Sequence, residues 1–258
     1  MIAAQWKETA LNSAPEPADA EDPASSRQEN SDHSPARRRH PAVSFLVELV
    51  TIVALAVVIS FIIKTFFLRA FYIPSESMQP TLEVDDRIVV NLLAPEVMDL
   101  HRGDVVVFED TRNWWGSEPK PETTVFQDAL VFIGLMPDTS SHYVVKRIIG
   151  MEGDTVACCD EQGRILVNGE PVDEPYLYPG DAPSEAEFEV SVPEGHVWLM
   201  GDHRSASADS RSHVNEADQG AVPVDDVIGR TLATVWPMDR FGGGGSDREP
   251  FAEVPESP

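Results

Sequence analysis

Cysteine, lysine and long apolar runs are scarce in this chain of 258 residues. Its only two cysteines, Cys158 and Cys159, are adjacent. Two thiolates fall short of a tetrahedral metal set and no His/Cys cluster lies near them, so no metal site is expected. An oxidising exterior permits a vicinal disulfide, with two surface thiols as the alternative. Positive charge is equally short: 19 Lys and Arg stand against 44 Asp and Glu, for a net −25. Residues 71–258 hold twelve of the basic and 36 of the acidic side chains. Such a surface repels phosphate, which excludes nucleic acid as a partner, and it suits solubility outside a cell. One stretch alone, Pro41 to Ile63, has the length and apolarity to span a bilayer. The polyglycine run 242–245 leads only into an acidic, Pro-containing tail, so a second span is not expected.

Residues 1–42 are rich in Ala, Pro, Ser, Glu and Asp with little to bury, and read as a disordered tail. The 23 residues from Pro41 carry one charge, Glu48, and at 1.5 Å per residue reach across a hydrocarbon core. A cleaved secretory signal fits poorly, because the charged region starts some 37 residues in and the core is too long. The expectation is an uncleaved anchor over 43–69. Arg27, Arg37, Arg38 and Arg39 precede it, whereas Lys64 and Arg69 follow, which predicts a cytoplasmic N-terminus and an extracytoplasmic domain.

That outer domain, 70–238, reads as mostly β. Runs such as Arg87–Leu93, Asp104–Phe108, Tyr143–Ile149, Arg164–Val167 and Val227–Val235 are rich in β-branched residues and bounded by turn residues. Asn168-Gly169 predicts a type I′ hairpin. Two insertions interrupt the pattern, about 110–142 and 175–194. The first contains Trp114-Trp115 and then an apolar stretch, 125–136, too short to span. It reads as a small core helix or strand, or as an element dipping into the bilayer with the tryptophans at headgroup level. The second is acidic and loop-like, and 239–258 reads as a disordered acidic tail.

The chemistry concentrates in two places. Ile73-Pro74-Ser75-Glu76-Ser77-Met78-Gln79-Pro80-Thr81-Leu82 sets a serine in a Pro-flanked turn just past the anchor. Val144-Val145-Lys146-Arg147-Ile148-Ile149-Gly150 holds the only one of the four lysines (Lys7, Lys64, Lys120, Lys146) with apolar pairs on both sides. A serine hydroxyl needs a base to become a nucleophile. Lysine serves as one only where burial lowers its pKa from about 10.4 toward neutrality. The turn serine and the apolar-flanked lysine together are what a Ser-Lys hydrolase requires.

These two motifs resemble the type I signal peptidases. Two more extend the likeness in the same order: Arg102-Gly103-Asp104-Val105-Val106-Val107-Phe108, and the run from Met200-Gly201-Asp202-His203-Arg204 through Ser207-Ala208-Asp209-Ser210-Arg211. The resemblance covers roughly 43–238. It implies a coiled β-sheet catalytic domain behind a single transmembrane helix, with no cofactor. It also implies Ser77 as nucleophile, Lys146 as general base, and the Ser75 hydroxyl and Ser77 amide as the oxyanion hole. Ser207 would orient the lysine, and Asp202, Asp209 and Arg211 would brace that loop. Phe71, Ile73, Met78, Leu82 and Val145 would line shallow pockets for small side chains of a signal peptide. The implied protein is a monomer on the lipid bilayer that cleaves exported preproteins.

The chain departs from the family at Glu76, commonly Gly, and at His203, usually Asn. The histidine opens a rival triad, Ser77–His203–Asp209. Two other readings remain: a self-cleaving repressor-type Ser-Lys peptidase, opposed by the anchor and acidic charge, and a catalytically silent scaffold, opposed by the joint presence of Ser77, Lys146 and Ser207.

Overall fold

The computed structural model describes residues 41–114, 124 and 143–257. Two units are distinguished, 1–46 and 47–258; of the first, only the opening turns of a helix are described. That helix, α1 (Pro41–Phe66), is long and apolar enough to cross a membrane, and no part of its apolar window is buried in protein. Its 26 residues give about 39 Å of rise, more than the ~30 Å of a hydrocarbon core. The expected limit at 69 is corrected. The last turn closes through Phe67 N–H on the Ile63 carbonyl, and strand β1 (Leu68–Tyr72) begins at once. Pairing with β2 (Arg87–Asn91) gives those backbone groups their partners.

The remaining described strands are β3 (Val105–Glu109), β4 (Tyr143–Gly150), β5 (Thr155–Cys158), β6 (Ile165–Val167), β7 (Glu170–Pro171), β8 (Phe188–Ser191), β9 (His196–Met200), β10 (Val222–Pro223), β11 (Val227–Trp236) and β12 (Gly242–Gly243). The larger sheet runs β1-β2-β11-β3-β4-β9-β10, with β12 on β11. The smaller runs β7-β6-β5-β8. All pairings are antiparallel. Register breaks in β11 and β4 are bulges, which add twist and curl the larger sheet.

The mostly β expectation holds, and the Asn168-Gly169 turn has both φ angles positive, 53° and 84°, as a type I′ hairpin needs. Within the second insertion, Phe188–Ser191 is a strand rather than loop, because pairing with β5 buries Val190 against Val156 and Ile165. Trp114 stacks on His213 at 3.9 Å and its Nε1 donates to Glu216, so its ring is held by protein. Trp115 and the apolar stretch 125–136 lie outside the described residues.

The C-terminal tail is the main correction. Residues 239–257 are ordered against the body: Phe251 and Val254 are buried with Ile149, Val156 and Trp198. Arg248 grips the buried Asp104 through two nitrogens, and the Pro255 carbonyl accepts from Arg102 and Asn168. Two apolar anchors and one arginine hold down a segment whose average composition is acidic and polar.

The site is positioned by β4. It lies inside the sheet between β3 and β9, with Lys146 opposite Val106 and Arg147 opposite both Val105 and Met200. The Ser75–Leu82 turn follows β1 and packs on an apolar cluster of Ile73, Met78, Leu82, Ile88, Val90, Val105 and Val107.

Candidate active site

Ser77 and Lys146, 69 residues apart, meet at 2.6 Å between Oγ and Nζ. The serine is 7% exposed and the lysine 2%. Burial lowers the Lys146 pKa from 10.5 to about 8; Asp209 and Asp202 pull it back up, and Arg211 pushes it down. An amine titrating there is substantially neutral in mildly alkaline water and can take a proton. Ser75 Oγ lies 3.3 Å from Ser77 Oγ, so two hydroxyls converge on one point beside the amine.

The loop after β9 closes over this pair. His203 N–H donates to the Ser77 carbonyl, fixing the nucleophile's own backbone. Gly201 is required here, since a Cβ would overlap the Ser207 hydroxyl and the Ser77 carbonyl. Asp209 accepts from Gly201 N–H and from two nitrogens of Arg211, the fork expected for that pair. Although burial pushes its carboxyl upward, the Arg211 fork holds Asp209 below the usual carboxylate range.

Asp202 faces Arg147, with both side chains fully buried and two nitrogens on its two oxygens at 2.8 and 2.7 Å. Arg147 also stacks on the Tyr176 ring at 3.8 Å. Sequence reasoning missed this role of Arg147. The readable signal was an arginine in an apolar strand, which is buried only with a carboxylate partner. It also missed Arg204, buried and gripped by Glu174, Gly201 O and Pro183 O. Through Arg204, Tyr178 N–H on the Asp202 carbonyl, and Ser205 on Asp181, the second insertion is tied to the loop beside the serine.

Two expectations change, and the rival triad falls. Ser207 Oγ is buried with no hydrogen-bond partner among the described residues, so the bond expected to the Lys146 amine is not made; the amine is directed at Ser77 instead. Of the five proposed pocket residues, Ile73, Met78 and Leu82 are buried core, because they point into the sheet. Only Phe71 and Val145 are partly open, packed on that core. The Ser77–His203–Asp209 triad is not assembled: Asp209 is held by Arg211 and Gly201, while His203 stacks on Tyr178 at 3.8 Å with its Nδ1 3.3 Å from the Glu76 carbonyl. Cys158 and Cys159 form a disulfide at the end of β5, and among the described residues no acidic, His or Cys cluster has the makings of a metal site.

A buried amine on a serine hydroxyl, with a second hydroxyl alongside, is the apparatus of a serine hydrolase with a lysine base. Comparison with known proteins gives the class. Residues 46–236 match the family model described as "Signal peptidase, peptidase S26". Signal peptidase I of Mycobacterium tuberculosis (strain CDC 1551 / Oshkosh) is 39% identical, over 81% of this chain and 76% of its own. The probable signal peptidase I of Mycobacterium leprae is 36% identical, over 79% and 80%, and signal peptidase I of Leptolyngbya laminosa 33%, over 81% and 88%. The chain belongs to the signal peptidase family, peptidase S26, and is a peptidase.

Proposed function

We propose that this peptidase is a membrane-anchored endopeptidase that removes N-terminal signal peptides from exported preproteins with a Ser77–Lys146 dyad. The single observation that carries the reading is the 2.6 Å approach of a buried, pKa-lowered amine to a serine hydroxyl. The neutral Lys146 amine takes the Ser77 proton as Oγ attacks the carbonyl carbon before the cut. The oxyanion is held by the Ser77 amide and the Ser75 hydroxyl. The lysine ammonium then gives its proton to the departing amine nitrogen, leaving an ester on Ser77. Water, deprotonated by the same amine, hydrolyses the ester and frees the serine.

The helix α1 anchors the domain, with its N-terminus cytoplasmic by the arginine excess, so cleavage occurs just outside the bilayer. The substrate is extended, with small residues at the first and third positions before the cut, and Phe71 and Val145 form the open part of its pocket. All the groups named come from one chain, so a single copy suffices.

The test is the full chain in detergent, incubated with an exported preprotein and read by mass spectrometry of the products. Cutting after a small residue at the end of the signal segment, lost in Ser77→Ala, is the expected result. Intact preprotein with the wild-type chain would sink the proposal.

A further inference from the structure

The C-terminal segment carries a contact that the dyad and its loop do not account for. Arg147 follows Lys146 directly and has five N–H groups, all of them engaged. Nε and Nη2 donate to Asp202, Nη1 to the Gly103 and Gly245 carbonyls at 2.9 and 3.0 Å, and Nη2 also to Thr81 Oγ1 at 3.4 Å. Thr81 Oγ1 in turn donates to Asp202 Oδ2 at 2.5 Å. One guanidinium thus ties the strand of Lys146, the turn of Ser77, the loop of Asp202 and the C-terminal segment together.

Gly245 is the segment's point of entry. It sits at φ +81°, where a side chain is strained, and a Cβ there would overlap the Thr81 Cγ2 methyl. Around it the segment is secured by Ser246 Oγ accepting from Val105 N–H, Asp247 N–H on the Gly103 carbonyl, and Arg248 on Asp104. This stretch lies past the end of the family match at 236.

We infer that Gly245 is a positioning residue for the peptidase reaction: its carbonyl completes the Arg147 acceptor set, and its bare Cα lets Thr81 pack so that Lys146 and Ser77 stay in register. The inference rests on the dyad reading above. The segment is therefore a working part of the enzyme, although its composition resembles a dispensable tail. A displaced Thr81 would move the turn that presents Ser77 and loosen the carboxylate that holds Arg147. Since a group misplaced by about 1 Å costs up to 100-fold, the effect belongs in turnover rather than affinity.

The experiment measures kcat and KM of the full chain in detergent on a preprotein, with thermal unfolding alongside. Gly245→Ala is expected to lower kcat about 10- to 100-fold with KM within about threefold. Placed on Thr81→Ser, which keeps the hydroxyl and removes the methyl, the same change should cost less than about threefold relative to Thr81→Ser alone. Val254→Ala, which only loosens the segment's apolar anchor, should lower Tm while leaving kcat within about twofold. A Gly245→Ala enzyme that loses Tm but keeps its kcat, or an equal kcat loss in both backgrounds, overturns the inference. Should Gly245→Ala fail to fold, Thr81→Val reads the same network: kcat must fall about tenfold at unchanged KM, and an unmoved kcat overturns it. A wild-type chain that cuts nothing overturns the dyad reading and this one together, whereas a cutting wild type with an equally active Gly245→Ala overturns only this one.

Discussion

Lys146 Nζ and Ser77 Oγ lie 2.6 Å apart, and both side chains are buried. Burial sets the amine's pKa near 8, and the pH profile follows from it. The neutral amine is the working form, so the rate should rise about tenfold per pH unit below about 8 and level off above it. Steady-state kinetics from pH 6 to 10 check this. A plateau already reached at pH 6 would assign the base to another group. Ser77→Ala and Lys146→Ala should each lose several orders of magnitude in kcat while remaining folded.

The same burial weighs on the fold. The pKa of Lys146 is lower folded than unfolded, so between about 8 and 10.5 the unfolded chain binds more protons and stability rises with pH across that window. Below about 8 the full penalty is present. Each pH unit of lowering corresponds to about 1.4 kcal/mol, so Lys146→Met, inactive but similar in shape, should be more stable than wild type by about 3 kcal/mol at pH 7. The gain should shrink toward pH 10. Urea unfolding at the two pH values measures it, and a pH-independent difference would contradict the buried-amine account.

The five buried aspartates among the described residues all face arginines: Asp86 with Arg240, Asp104 with Arg230 and Arg248, Asp154 with Arg102, Asp202 with Arg147, and Asp209 with Arg211. The few basic residues thus sit largely inside or against the body, and the acidic excess is left to the surface. Removing one partner leaves the other charged and buried. Asp202→Asn should therefore destabilise the domain by about 3–5 kcal/mol, whereas Asp160→Asn, whose partner Arg164 is solvent-screened, should cost far less. Chemical denaturation of the two variants makes the comparison, and equal losses would refute it.

What could be read from the chain follows from how local each feature is. The β-branched runs became strands, and the Asn168-Gly169 turn kept its geometry, because both depend on near neighbours. Ser77 and Lys146 stood out because their chemistry demands an uncommon setting. The partners of Arg147 and Arg204 did not, since Asp202 and Glu174 lie 55 and 30 residues away and no local pattern links them. The final segment was misjudged for a related reason: Phe251 and Val254 are two anchors in an acidic stretch, and an average over composition hides them. Ile73, Met78 and Leu82 have the apolar character of a pocket wall and of a core alike, and only packing distinguishes the two.

The last prediction concerns Ser207. Its Oγ is buried without a hydrogen-bond partner among the described residues, and it lies with the Ser77 carbonyl around the vacant Cβ position of Gly201. A buried hydroxyl left open costs stability, and one in the loop that closes over the dyad is a candidate for a role in the reaction. The role offered is that the ammonium formed when Lys146 takes the Ser77 proton gains an acceptor that the neutral amine does not use. Ser207→Ala should therefore leave KM and folding intact, with Tm equal to or above wild type, and lower kcat roughly 10- to 1000-fold. Losing an acceptor for the charged form should also move the kinetic pKa of the substrate-bound enzyme downward, so the loss is smallest below that pKa, where more of the amine is then neutral, and greatest on the plateau above it. Thr supplies the same oxygen and should restore part of the rate if its methyl fits beside Gly201. The measurement is kcat against pH for wild type, Ser207→Ala and Ser207→Thr on one preprotein. An unchanged kcat in Ser207→Ala would reduce this hydroxyl to a packing group.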